Sequence, residues 1–172
     1  MINPDTYMPD LAMTQANLGF FYTITNRIEK GIEALENCLI HNGILPDFGA
    51  LCFAGFGSAY ESLQDPERAS QNYLFASATD FLMSNKGIPY LNDVLCHLEK
   101  VIELGNGTNV NDAQMIRTSI LKLMGEDVAI LDVPLSERGE VIKEALNGKN
   151  VELNPIDEID LMVLILTKDL LS

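Results

Sequence analysis

Between residues 48 and 83 the apolar positions fall into two helical stripes separated by a very short turn. Phe53, Phe56, Gly57 and Tyr60 share one side of a segment running from about 48 to 64. Ala69, Tyr73 and Ala76 then follow at i, i+4 and i+7, which predicts a second helix. Asp65-Pro66 stands between them, an aspartate that can cap and a proline suited to a first helical turn. The same spacing occurs upstream. Leu18-Gly19 precedes Tyr22 as Phe56-Gly57 precedes Tyr60, and Ile28, Ile32, Leu35 and Leu39 form the following stripe. The step from Gly19 to Gly31 equals the step from Gly57 to Ala69. A glycine inside a helix costs about 1 kcal/mol relative to alanine. Gly19 and Gly57 therefore predict places where a partner helix comes close.

Downstream, Leu91, Val94, Leu95, Leu98, Val101 and Ile102 mark an amphipathic helix over 88–104. It reads as the second helix of a degenerate third repeat, but no helix with the Leu-Gly and Tyr spacing precedes it, and the long segment from Ala69 to about Asn85 is the alternative neighbour. Gly105-Asn106-Gly107 breaks the 88–104 helix. Met115, Ile116, Ile120, Leu123 and Met124 share the face of a further helix. Residues 128–133 fit either a short strand or an extended buried connection, and a helix is expected over 136–147. Asn154-Pro155 opens a last helix, with Asp157, Glu158 and Asp160 at its positive end. Its middle is apolar on every side, which requires enclosure by the protein itself or by a partner.

These offsets resemble the tetratricopeptide repeat, a helix-turn-helix unit with large, Leu-Gly, Tyr, Ala, aromatic and Ala positions at fixed offsets. One copy, about Ala50 to Met83, matches at Gly57, Tyr60, Ala69, Tyr73 and Ala76; the other, about Ala12 to Leu45, matches at Leu18, Gly19 and Tyr22. Gly31 and Cys38 stand as small substitutes in the earlier copy. The step from Gly19 to Gly57 is longer than the family's repeat unit, so a few extra positions near "GILPDFG" lengthen the connection. The resemblance implies an all-α fold, with a repeat region over 1–105 and a C-terminal helical extension or cap over 106–172. It also implies a concave groove lined by the first helix of each pair. By position the groove takes Met13, Ala16, Phe20 and Thr23 from one copy and Leu51, Ala54, Ser58 and Glu61 from the next. More narrowly, "LCFAGFGSAYESLQDPERASQNYLFASATD" resembles the middle repeat of type III secretion chaperones for translocator proteins. Gly55-Phe56-Gly57-Ser58 carries that likeness, which covers about residues 15 to 80. It implies a cytoplasmic protein that keeps a hydrophobic client soluble before export.

Charge sharpens the expected partner. The chain has 172 residues, of which eleven are basic and 25 acidic, for a net charge of −14. Such a field repels nucleic acid and anionic lipid, and the eight groove positions include no Lys or Arg. A protein or peptide partner with apolar or basic character is expected. The longest apolar run, Leu161 to Leu166, is too short to span a bilayer. The start, "MINPDTYMPD", lacks the basic and apolar parts of a secretion signal, and an intracellular, cytoplasmic protein is expected. Cys38, Cys52 and Cys96, odd in number and widely spaced, then fit reduced, buried thiols.

Catalytic chemistry finds little support. His41 and His97 lack metal-ligand spacing, and the adjacent Cys96 and His97 are expected on different sides of their helix. "GNGTN" lacks the ending of a phosphate loop. Glu152, Asp157, Glu158 and Asp160 lack the spacing of a calcium loop. No catalytic residue, metal or cofactor is expected. The sequence thus points to a non-catalytic scaffold holding a partner's segment in a groove. The alternative is a structural or regulatory subunit, or a homodimer, acting through the C-terminal helix.

Overall fold

Asn26 and Gln64 both adopt the left-handed backbone conformation, each with φ of 59°. They sit at equivalent turns. In the computed structural model, which describes residues 9–42, 49–83, 88–105, 107–129, 134–135, 140 and 143–144, six helices follow one another. These are α1 (Pro9–Ile24), α2 (Ile28–Asn42), α3 (Gly49–Ser62), α4 (Pro66–Met83), α5 (Ile88–Leu104) and α6 (Gly107–Leu123). No strand occurs among the described residues.

The ends of α1 and α3 are built alike. Arg27 N donates to Tyr22 O and Asn26 N to Thr23 O. At the matching place after α3, Asp65 N donates to Tyr60 O and Gln64 N to Glu61 O. These paired bonds are a Schellman ending, which satisfies carbonyls the helix would otherwise leave open. Glycine is the preferred residue there, and an L-residue in this conformation costs about 1–2 kcal/mol. Gln64 is exposed, so no packing opposes its replacement. Gln64→Gly is therefore expected to raise stability by about 1 kcal/mol in a denaturant melt. Asp65 starts the next helix. Its carboxylate accepts from Arg68 N at 3.1 Å and from Arg68 Nε at 2.7 Å. The backbone bond from Arg68, more than the neighbouring charge, holds the Asp65 carboxyl below its usual range.

The glycines predicted to lie at close approaches do so. A Cβ at Gly19 would meet Leu35 Cγ of α2 at 2.5 Å, and one at Gly31 would meet Thr23 Oγ1 of α1 at 2.7 Å. A Cβ at Gly57 would meet the Tyr73 ring of α4 at 2.8 Å. Leu35 and Tyr73 are separated by the same step as Gly19 and Gly57. Gly55 extends the arrangement to the next pair, because its missing Cβ also faces Leu35, at 2.7 Å. Thus α1 packs on α2, α3 on α4, and both α1 and α2 touch α3.

Two clusters form the core. Ala12, Ala16, Cys38 and Cys52 close the α1–α2–α3 junction. Ala69, Tyr73 and Leu74 of α4 join Val94, Leu98 and Val101 of α5 and Ile116 and Ile120 of α6. Residues on both sides of position 105 therefore share one core. Leu135 packs against it, and Asn111 Nδ2 donates to Pro134 O at 2.7 Å.

Two expectations are corrected. Cys38 and Cys52 are not free thiols but a disulfide, and both residues are fully buried. The last turns of α2 and the first of α3 lie side by side, which brings their Cα atoms within 6.7 Å. Cys96, expected to be buried, is exposed. The amphipathic helix α5 packs on α4 and, past Gly105, whose φ is 67°, also meets α6. The expected helix over 136–147 and the helix from Asn154 lie outside the described residues, apart from Glu140, Lys143 and Glu144, which are helical. Of 128–133, residues 128–129 are neither helix nor strand. No described helix is long and apolar enough to cross a membrane.

Candidate functional site

Residues of α1, α3 and α5 share a cleft of about 440 Å³, floored by one residue of α4. Phe20 of α1 forms one end. Ala54 and Ser58, one turn apart on α3, form a wall. Tyr73 of α4 reaches the floor past Gly57, where a larger residue would block its ring. Cys96, His97, Glu99, Lys100 and Glu103 of α5 form the opposite wall. Steps of three and four place most of these α5 residues on neighbouring rows of one helix.

A polar chain crosses the cleft's edge. Tyr73 Oη donates to Glu61 Oε2 at 3.0 Å. Lys100 Nζ lies 3.4 Å from Glu61 Oε1 and 3.4 Å from Glu103 Oε2. Burial, reinforced by the Glu61 carboxylate, pushes the Tyr73 phenol far above its ordinary range, so it acts as a fixed donor. Partial burial works against the charge on Lys100, but Glu61 and Glu103 outweigh it and raise its pKa. Glu99 is held separately by Arg117 Nη2 of α6 at 2.7 Å.

The His97 ring stacks on Tyr73 with centroids 6.1 Å apart, and its Nε2 lies 3.1 Å from Asp80 Oδ2 of α4. Cys96 and His97, expected on different sides of the helix, both border this cleft: Cys96 at its exposed edge, His97 inward against α4. Among the described residues no group of three His, Cys, Asp or Glu side chains is placed to hold a metal ion.

The eight residues assigned to a groove by position divide. Phe20, Ala54 and Ser58 line the cleft, and Glu61 stands at its edge through Tyr73 and Lys100. Ala16 is buried in the core cluster with Cys38 and Cys52. Thr23 is buried as well, its Oγ1 donating to Gly19 O at 2.9 Å beside Gly31. Met13 and Leu51 are exposed outside the lining. Among the packing residues, Ala69, Tyr73 and Ala76 are buried and Tyr22 and Tyr60 half-buried, while Leu18 is exposed. Tyr60 stacks on Phe56 and lies under the Arg68 guanidinium, 4.9 Å from the ring centroid.

The wall supplied by α5 is absent from the sequence reading. With α5 read as a second helix of a repeat, the groove positions come only from the two upstream copies, and Cys96, His97, Glu99, Lys100 and Glu103 are left out.

No protein-family model, curated protein or solved structure matches the chain.

Proposed function

We propose that this protein is a non-catalytic binding module of the tetratricopeptide type, which holds an extended segment of a partner protein in the cleft between α1, α3 and α5. The observation that carries the proposal is the meeting of Phe20, Ala54 and Ser58. These residues, assigned to a groove from repeat offsets alone, line a common cleft. The paired turns at Asn26 and Gln64 and the glycine contacts at Gly19 and Gly57 support the repeat reading. An apolar end at Phe20 suits an apolar side chain of the partner. A net charge of −14 disfavours nucleic acid and anionic membrane as occupants.

Within this class, the narrower reading is a chaperone that keeps a hydrophobic secreted client soluble, on the strength of Gly55-Phe56-Gly57-Ser58. Its cytoplasmic setting requires the Cys38–Cys52 pair to be reduced there, because such bonds persist in oxidising compartments. A second reading, a subunit of a larger assembly or a homodimer, is favoured by the apolar face of α1. Phe21 is 52% and Ile24 77% exposed on a helix whose only charged residue is Asp10.

The test is capture of partners from the source cell by the wild-type chain and by Phe20→Glu, with mass spectrometry as the readout. Phe20→Glu should lose the partner at least tenfold while its melt stays within about 0.5–1 kcal/mol of wild type, as expected for a half-buried site. Retained capture would reject the cleft.

A further inference from the structure

The edge of the cleft carries one cation shared between two carboxylates. Lys100 Nζ is 3.4 Å from both Glu61 and Glu103, longer than the roughly 2.7–2.9 Å of a tight charge-assisted hydrogen bond. All three side chains are substantially exposed, and such pairs are weak. Glu99 does not compete for Lys100, since Arg117 engages it. Glu61 and Glu103 together therefore exceed Lys100 by one negative charge. Across the cleft, Phe20 and Ala54 present apolar surface. A ligand that satisfies both sides joins a cation directly to an apolar group.

Resting on the groove reading above, we propose that the cleft takes a partner segment in which Arg or Lys neighbours an apolar residue, and that Lys100 is a built-in competitor which the partner's cation displaces from Glu61 and Glu103. The exchange is physically easy. Lys100 has a flexible four-carbon stem and gives up two long contacts. A guanidinium offers a rigid fork that can engage carboxylate oxygens two at a time. The partner's apolar neighbour, seated against Phe20, excludes water and strengthens the new charge contact. Lys100 thereby sets a threshold: a polar or acidic segment leaves it in place, and a basic one replaces it.

Fluorescence anisotropy with labelled peptides tests this directly. The probes are peptides of about twelve residues, which reach about 40 Å when extended, built from Leu-Arg-Ser, Leu-Gln-Ser or Leu-Glu-Ser repeats. The wild-type chain should prefer the arginine peptide. Lys100→Met should tighten that peptide about three- to fivefold and leave the glutamine peptide unchanged. Lys122→Met makes the same change in net charge at the last turn of α6, outside the cleft lining, and should have under half that effect. Glu61→Gln with Glu103→Gln should reduce the arginine peptide to the level of the glutamine peptide, whereas Glu29→Gln with Glu33→Gln on α2 should not.

Equal tightening by Lys100→Met and Lys122→Met would overturn the proposal in favour of the protein's general field. No preference for arginine, with glutamine-peptide binding still abolished by Phe20→Glu, would overturn the competitor while sparing the groove. Failure of every peptide to bind, or binding that survives Phe20→Glu, would remove the groove and this inference together.

Discussion

Gly57→Leu is expected to destabilise the fold by about 3 kcal/mol, lowering the melting temperature by about 6–12 °C. The physical reason is the floor of the cleft. A Cβ at position 57 would already stand 2.8 Å from Tyr73 Cε1, and the ring is held in place by the Tyr73–Glu61 hydrogen bond and the stacked His97. The remaining leucine carbons have nowhere to go unless α3 and α4 separate. Leucine's better helix propensity returns less than about 1 kcal/mol, so the clash decides the sign. Ser62→Leu on the exposed end of the same helix should change stability by no more than about 0.5 kcal/mol. Adding Tyr73→Ala to Gly57→Leu should recover part of the loss, because the two residues contact each other. An unchanged melt for Gly57→Leu would show that α3 and α4 do not approach through this notch.

The second large effect concerns the bond between α2 and α3. Cys38 and Cys52 are separated by 14 positions, and closing a loop of this size removes about 3 kcal/mol of freedom from the unfolded chain. Reductant should therefore lower the wild-type melting temperature by about 6–12 °C. A chain carrying Cys38→Ala and Cys52→Ala should melt at the lower temperature with or without reductant. A wild-type melt that ignores reductant would mean that the pair contributes nothing to stability. The bond fastens α2 to α3 in the cluster that also buries Ala12 and Ala16 of α1.

The parts of the fold that depend on local pattern were readable in the sequence. Asp65-Pro66 states a helix start in two residues, and α4 begins at Pro66. Gly19 and Gly57 announce close contacts because an interior helical glycine otherwise has no compensation. Features that depend on tertiary position were hidden. Leu98 and Val101 stand to Gly57 and Tyr60 as Gly105 stands to Gln64, at one and the same step along the chain, yet they share none of the motif's residue types. Aliphatic packing of Val94, Leu98 and Val101 against α4 and α6 holds α5 instead, so its wall of Cys96, His97, Glu99, Lys100 and Glu103 carried no signature. Ala16 and Thr23 show a subtler limit. They lie on the groove-bearing helix, but small side chains beside close helix contacts are drawn into the seam, and Phe20 reaches the cleft. The disulfide was hidden because residue spacing along the chain says nothing of which helix ends meet.

Everything proposed for the cleft requires that a partner occupy the space between α1, α3 and α5. Side-by-side capture of the native partner by Phe20→Glu and Phe21→Glu, each checked for a normal melt, decides whether it does. Both substitutions place the same charge on α1, one in the cleft and one about 100° round the helix on an exposed side chain outside the lining. Phe20→Glu should release the partner and Phe21→Glu should keep it; release by Phe21→Glu alone would contradict a cleft-bound partner and assign binding to the outer face of α1.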